Sequence, residues 1–533
     1  MNFSLYFTFL LLALVANGLV SRDFYIPSSH LPPIAPFPRS LLSDSSNTRN
    51  STAKTPALLP PFPTSHVFNQ LIDHNNPQLG TFSQRYWYSN QYYQPGGPIV
   101  LFTPGESPAD GYVSYLYNTT LPGAIASQTH GLNIVLEHRF FGNSNPYPDL
   151  TVQSLKVLTV AQAIEDLEYF AQNVVIPVSG GDQLGPDKVP WILTGSSYSG
   201  ALVSWTMVSK PGVFFAGFAS SAVVQAITDY WQYFDVIRQV MPQNCSSDVQ
   251  AVIQHIDTVF NSSDTVAIQN ITTLFGLQNL THFDDFAAAL RNNLWDYEDL
   301  DIDTGPGGAF YDFCDALEVN GGVAAGPQGW GVDNSLQAWG SYWINGYYAQ
   351  TCGVYDPESC LGSYDPTTPY YTATNINNPG RSWKWLQCNE MGSFQTAAPP
   401  GYPSLVSRLL QPSYEERTCM LMFPEAFSNP PTPAADSINQ QYQGWNVSVD
   451  KLFFSTGNRD EWKEMTISAS GANRVGTDMQ PIVLNNGFHC SDMLMSNAID
   501  DSIGKVQQAV LSTMTKWLGE WRANGTQTSN STS

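Results

Sequence analysis

An apolar segment, Val189-Pro190-Trp191-Ile192-Leu193-Thr194, runs directly into Gly195-Ser196-Ser197-Tyr198-Ser199-Gly200, and a helical pattern follows from about Gly200. A strand that turns into a helix over so few residues needs a sharp bend. The residue at the apex then sits at strained backbone angles, and its neighbours must be small. Such an apex lifts a nucleophile above the edge of a sheet. The helix start behind it offers N–H groups and the positive end of a dipole to a developing oxyanion. Ser197 fits the apex best: Gly195 lies two residues before it, although Ser199 stands two after it where Gly is usual. Ser199 would have Ser197 and Ala201 at those places, and Ser196 lacks the preceding Gly, so both fit less well. A Gly/Ser-rich turn before a helix is also an ordinary structural turn, and the segment by itself leaves that reading open.

The surroundings favour a sheet. Ile99 to Thr103, Asn133 to Glu137 and Trp191 to Thr194 read as short buried strands, and LTVAQAIEDLEYFAQNV has helical period. Strands alternating with helices predict a parallel sheet covered on both faces. The pattern breaks after about residue 222. Residues 223–420 hold helix-like stretches, Gly-rich turns and six of the seven cysteines, and are expected to form an inserted, mainly helical cap. Strand and helix texture returns in VDKLFFSTGNRDEW, PIVLNNGFHCSD and the amphipathic AIDDSIGKVQQAVLSTMTKWLGEW. The expected organisation is 66–222 and 421–523 as two parts of one α/β domain, 223–420 as the cap, and 524–533 as a polar tail. No internal repeat is visible.

In this architecture a catalytic acid and then a histidine follow the nucleophile in the chain. His30, His66, His74, His130 and His138 precede Ser197, and His255 and His282 fall in the expected cap. His489, after the strand and turn of PIVLNNG, is left. Asp460 follows the apolar Leu452 to Phe454 run and is the favoured acid, with Glu461 and Asp478 as runners-up. Each residue taken singly is more often a loop polar group; their order and strand-end positions together suggest a triad.

Residues 1–18 contain an apolar run, Leu5 to Ala16, too short for a comfortable membrane span, with Ala16 and Gly18 placed for cleavage. This reads as a signal peptide, although it lacks an early Lys or Arg. Residues 19–65, as in HLPPIAPFPRS, read as a Pro/Ser-rich lead or pro-segment. Sequons at Asn50, Asn118, Asn244, Asn261, Asn270, Asn279, Asn446, Asn524 and Asn530 are glycosylation candidates. A secreted or vacuolar/lysosomal destination through the secretory pathway follows, with no membrane span in the mature chain. In that compartment seven cysteines make three disulfides and one free thiol. Cys352–Cys360 is the local pair, Cys245–Cys314 and Cys388–Cys419 are the expected others, and Cys490, beside His489, is the odd one. The formal charge of −23, from 22 Lys and Arg against 45 Asp and Glu, disfavours nucleic acid and anionic membranes as partners. It also suits acidic surroundings, where protonation relieves the repulsion.

From about His66 to Trp521 the chain resembles the prolyl carboxypeptidase and dipeptidyl-peptidase II family of serine peptidases, including its secreted fungal members. FNQLIDHNNPQLGTFSQRYWYSNQYYQPGGPIVLFTPGE, EHRFFGNSNP, TGSSYSG, WKWLQCNEMG, GNRDEW and GFHCSD are similar, in order, to that family's blocks. The resemblance implies an α/β-hydrolase fold with an inserted helical cap. It implies Ser197 as nucleophile, Asp460 as acid and His489 as base. Tyr198 N–H would form half of the oxyanion hole and the loop near Gly105 or Glu106 the other half, and Trp462 would wall an apolar pocket for proline. Two departures stand out: Ser199 replaces an elbow Gly, and Cys490 replaces a frequent second His. The implied activity is hydrolysis after proline in peptide substrates at acidic pH, of carboxypeptidase or dipeptidyl-peptidase type, with no metal or cofactor. An ester hydrolase on the same fold and a non-catalytic secreted binding protein are the alternatives.

Overall fold

The structure is a computed structural model that describes residues 64–303 and 308–521. The expected signal peptide, nearly all of the lead, the tail, and the sequons Asn50, Asn524 and Asn530 lie outside the described residues. Eight strands form one sheet: β1 (His66–Leu71), β2 (Thr81–Ser89), β3 (Ile99–Phe102), β4 (Leu132–Leu136), β5 (Trp191–Ser196), β6 (Ala216–Ser220), β7 (Leu452–Gly457) and β8 (Ile482–Asn485). Their spatial order is β1-β2-β4-β3-β5-β6-β7-β8. The β1–β2 and β2–β4 pairs are antiparallel. The pairs from β4 onwards are parallel. This is the α/β-hydrolase arrangement.

The central strands are short because helices cover both faces, so each strand is apolar throughout rather than alternating. On one face Ile99, Leu101, Leu193 and Phe454 pack with Leu167 and Phe170 of α2 (Val160–Asn173) and with Leu202 and Val203 of α3 (Ser197–Ser209). On the other, Val100, Phe102, Ile192 and Phe453 pack with Leu121 and Ile125 of α1 (Leu121–Thr129). Val506, Val510 and Met514 of α4 (Asp501–Leu518) complete that face. The spacing of these α4 residues gives one apolar stripe. Asp500 starts the helix by accepting from Ser502 N and Ile503 N. Thr159 caps α2 through Gln162 N. Such caps are worth about 1 kcal/mol each.

β3, β4 and β5 agree with the strands read from sequence to within two residues, while β1, β2 and β6 were not read there. The helix expected from about Gly200 instead begins at Ser197. Ser199 supplies the reason: its hydroxyl accepts from Ser196 N at 3.0 Å and donates to Ser196 O at 2.8 Å, closing the first turn three residues early.

No strand of this sheet comes from the interval between β6 and β7, which is built mainly of helices. They include Gln232–Val240, Gln243–Phe260, Phe283–Trp295, Ala309–Glu318, Val332–Tyr342, Pro379–Leu386 and Pro412–Met422. All three disulfides lie in this insertion and join the pairs expected from sequence: Cys245–Cys314, Cys352–Cys360 and Cys388–Cys419. Cys490 is the free thiol. Insertion residues such as Tyr230, Tyr233 and Trp383 share one apolar core with α2 and α3. Asn118, Asn261, Asn270, Asn279 and Asn446 are exposed and Asn244 is half-buried. No helix among the described residues is long and apolar enough to cross a membrane.

Candidate active site

Register puts three serines in a row across neighbouring strands: Ser196 of β5 faces Ser220 of β6, which faces Ser455 of β7. The loops leaving β5, β7 and β8 therefore depart from the same edge, the edge at which parallel sheets present their sites. Ser197 stands at the end of β5 with φ of +57°, in the left-handed region that non-glycine residues rarely occupy. The turn is tight on both sides. A Cβ on Gly195 would come within 2.4 Å of Ser199 O, and one on Gly200 within 2.8 Å of Ser220 O. Ser199 has no such need for glycine. It is buried, and its hydroxyl is engaged by the Ser196 backbone.

The TPGE loop rests on this elbow. Gly105 has φ of +70°, and a Cβ there would lie 3.0 Å from Ser199 Cβ and 3.2 Å from the Tyr198 ring. Glu106 follows, buried, and burial pushes its carboxyl up to about 7. Beneath the elbow the EHRFFG segment acts as a foundation. Arg139 makes two bonds to Asp166, at 2.5 and 2.6 Å. Glu137 accepts from Arg85, Ala109 N, Asn143 N and Ser144 Oγ. His138 Nε2 meets Tyr198 OH at 3.2 Å, and Trp383 of WKWLQCNEMG packs 5.3 Å from the Tyr198 ring. Order along the chain had set His138 aside; its contact with Tyr198 is a tertiary fact, signalled in the sequence only by its place in a recognisable block.

Asp460 follows β7, and its Oδ1 lies 2.8 Å from Nδ1 of His489, which follows β8. The same oxygen accepts from Trp462 N at 2.8 Å. Both residues are buried, and Nε2 of His489 is buried with no hydrogen-bond partner among the described residues. The runner-up acids differ. Glu461 is buried beside the pair but its side chain has no hydrogen-bond partner among the described residues. The Asp478 side chain is 94% exposed and faces Lys516 at 3.9 Å. Burial disfavours a charged imidazole at position 489, but Cys490 and Asp460 outweigh it, and the ring is held well above its ordinary pKa. Burial also pushes the Cys490 thiol up.

Two neighbouring loops are stitched together. Asn458 N donates to Asn485 O at 2.7 Å and Arg459 N to Gly487 O at 3.0 Å. A Cβ on Gly457 would sit 2.2 Å from Gly487 O, which accounts for glycine there. Asp492, three residues past His489, bonds Ser220 Oγ at 2.5 Å and also Ser455 Oγ, pinning the histidine loop to β6 and β7. Cys490, at φ of +58°, donates its N–H to Ser221 Oγ. Trp462 lies 6.2 Å from the His489 ring and stacks on Tyr230 at 5.5 Å.

This arrangement fixes the orientation of the His489 ring through Asp460 and holds Ser197 at left-handed backbone angles on the same edge of the sheet. The family profile described as Serine carboxypeptidase S28 matches residues 70–296 and 344–510. The chain belongs to the serine carboxypeptidase S28 family. S28 members are serine-type peptidases, and three relatives illustrate the range. The Serine protease vicPa of Bipolaris victoriae (strain FI3) is 34% identical over 87% of this chain and 90% of its own length. The Probable extracellular serine carboxypeptidase of Arthroderma benhamiae (strain ATCC MYA-4681 / CBS 112371) is 30% identical over 76% of this chain and 58% of its own. The Thymus-specific serine protease of Homo sapiens is 25% identical over 84% of this chain and 85% of its own. The S28 match covers both parts of the sheet and most of the insertion, so the likeness is not confined to the elbow.

Proposed function

We propose that this S28 peptidase cleaves peptides after proline through Ser197, His489 and Asp460, with the insertion as a cap over the site. The observation that carries the reading is the 2.8 Å bond between Asp460 Oδ1 and His489 Nδ1 at the strand edge where Ser197 is held at φ of +57°. With Nδ1 held by Asp460, Nε2 is the ring atom left to exchange a proton with Ser197, and it has no hydrogen-bond partner among the described residues. In the reaction, Nε2 takes the Ser197 proton as Oγ attacks the carbonyl carbon after proline. The tetrahedral oxyanion sits against Tyr198 N–H and the Gly105–Glu106 loop. His489 then gives the proton to the departing amine, leaving an acyl-enzyme on Ser197, and water activated by the same imidazole releases the acid. Ser197 Oγ and Nε2 are not hydrogen-bonded at rest, as is common before substrate closes an active site. Aromatic groups beside the imidazole, Trp462 and its partner Tyr230, suit a flat apolar pyrrolidine ring. Sequons on exposed asparagines and three disulfides support an extracellular or vacuolar setting.

The test is a fluorophosphonate probe on wild type and Ser197→Ala, followed by mass spectrometry of products from a panel of X-Pro-Y peptides. Labelling lost in the variant, with new termini after proline, is the expected result. Labelling that persists in Ser197→Ala removes the nucleophile assignment, cleavage at other residues removes the proline preference, and turnover of acyl esters without peptides points to an esterase.

A further inference from the structure

The insertion reaches into the loop that carries Asp460. Tyr297 OH donates to Arg459 O at 2.8 Å, and Tyr230 OH donates to Glu461 O at 2.8 Å. Between these two clamps sits Glu298, from the turn Asp296–Asp299 that ends the helix Phe283–Trp295. Its Oε1 accepts from Trp462 Nε1 at 3.0 Å and its Oε2 from Tyr233 OH at 2.8 Å. The Trp462 ring is enclosed by Tyr230, stacked at 5.5 Å, and by Tyr233, edge-on at 5.3 Å, so the Glu298 bond fixes an orientation already confined by packing.

Trp462 matters because of its main chain. Its N–H donates to Asp460 Oδ1, while Asp460 Oδ2 has no hydrogen-bond partner among the described residues. Two groups therefore orient the carboxylate: the Trp462 N–H and the imidazole it serves. We infer that Glu298 is a positioning residue for the reaction, locking Trp462 so that its N–H holds Asp460 against His489. This rests on the triad reading above. In consequence the insertion completes the site from outside the sheet, through a carboxylate more than 150 positions before the acid it steadies, as well as covering it.

The experiment uses the full chain with Glu298→Ala, Glu298→Gln, Trp462→Phe and the double variant Glu298→Ala/Trp462→Phe, with kcat and KM on one cleaved X-Pro-Y peptide. Glu298→Ala is expected to lower kcat about 10- to 100-fold with KM changed less than about threefold. Trp462→Phe removes the same bond from the other side and falls by a similar factor. The double variant falls no more than about threefold below the worse single one, because both break one path. Glu298→Gln keeps an acceptor for the indole without the charge, and recovers kcat to within about fivefold of wild type. A purely electrostatic role would leave Glu298→Gln as slow as Glu298→Ala, and that result overturns the inference. So do multiplicative losses, a loss confined to KM, or a Glu298→Ala enzyme within about threefold of wild type. If Glu298→Ala does not fold, Trp462→Phe and Glu298→Gln decide the matter between them. A wild type that fails to react with fluorophosphonate would instead sink the triad reading itself.

Discussion

Ser197 and Cys490 both hold left-handed backbone angles, at +57° and +58°, one at each side of the proposed proton path. A non-glycine residue there costs on the order of 1–3 kcal/mol, which the surrounding packing must offset. Ser199 contributes part of that offset through its two bonds to Ser196. Ser199→Gly should therefore lower stability by about 1–2 kcal/mol while fluorophosphonate labelling continues at close to the wild-type rate. Thermal melts and labelling kinetics check this, and a collapse of labelling in a folded variant would give the Ser199 hydroxyl a chemical role. Asp460→Asn tests the acid. It should cut kcat by on the order of 10⁴-fold by allowing the wrong imidazole tautomer. A loss below about tenfold, measured under saturating peptide, would shift the role to Glu461. The sequence supplied these residues by order and by strand-end position. It could not reveal that Asp478 is exposed while Glu461 is buried beside the imidazole, because burial depends on what the insertion covers.

Among the elements, the insertion depends most on cross-links, since all three disulfides are in it. Cys245–Cys314 closes a separation of 69 residues and Cys352–Cys360 one of 8. In the chain-entropy picture, removing the longer link costs about 4 kcal/mol and the shorter about 2.5 kcal/mol. Paired Cys→Ser variants compared by denaturant titration should rank in that order, and equal losses would argue that native packing sets the cost. The local pair and the odd cysteine were legible, but four cysteines then remained that could pair in three ways, and only the fold of the insertion decides between them. The central strands β3, β4, β5 and β7 were legible because each carries a continuous apolar run, whereas β1 and β2, with polar residues interspersed, were not. The contacts of Glu298 were not legible. Its neighbours in sequence give it no pattern, and its partners come from residues 233 and 462.

For the molecule as a whole, buried acids dominate the response to pH. Burial pushes Glu106, Glu298 and Glu390 up to about 7 from an ordinary 4.5. Glu318, buried and facing Asp248, rises to about 8. A raised pKa means the folded state holds protons that the unfolded chain has released. Stability from these groups is therefore complete below about pH 4.5 and is lost as pH climbs through 7 to 8. His138, buried and lowered to about 4 from 6.5, acts in the opposite sense between those values, but it is one group against four. Glu415, held down to about 2 beside Lys384 and Arg291, loses its contribution only below its ordinary 4.5. The melting temperature should thus be higher at pH 5 than at pH 8, by scanning calorimetry at constant ionic strength. The reverse order would mean that these carboxyls are hydrated and the −23 surface is not what acid relieves. Apolar runs and small residues at tight turns determined the sheet, its helices and the elbow, because those choices are made within a few residues of chain. Tertiary structure alone decided that Glu461 is buried beside His489 while Asp478 is exposed, which side of Trp462 is taken, and that Glu298 reaches its indole. Those outcomes need groups such as Glu298 and Trp462, 164 positions apart, to exclude water from one place, and no local pattern encodes that.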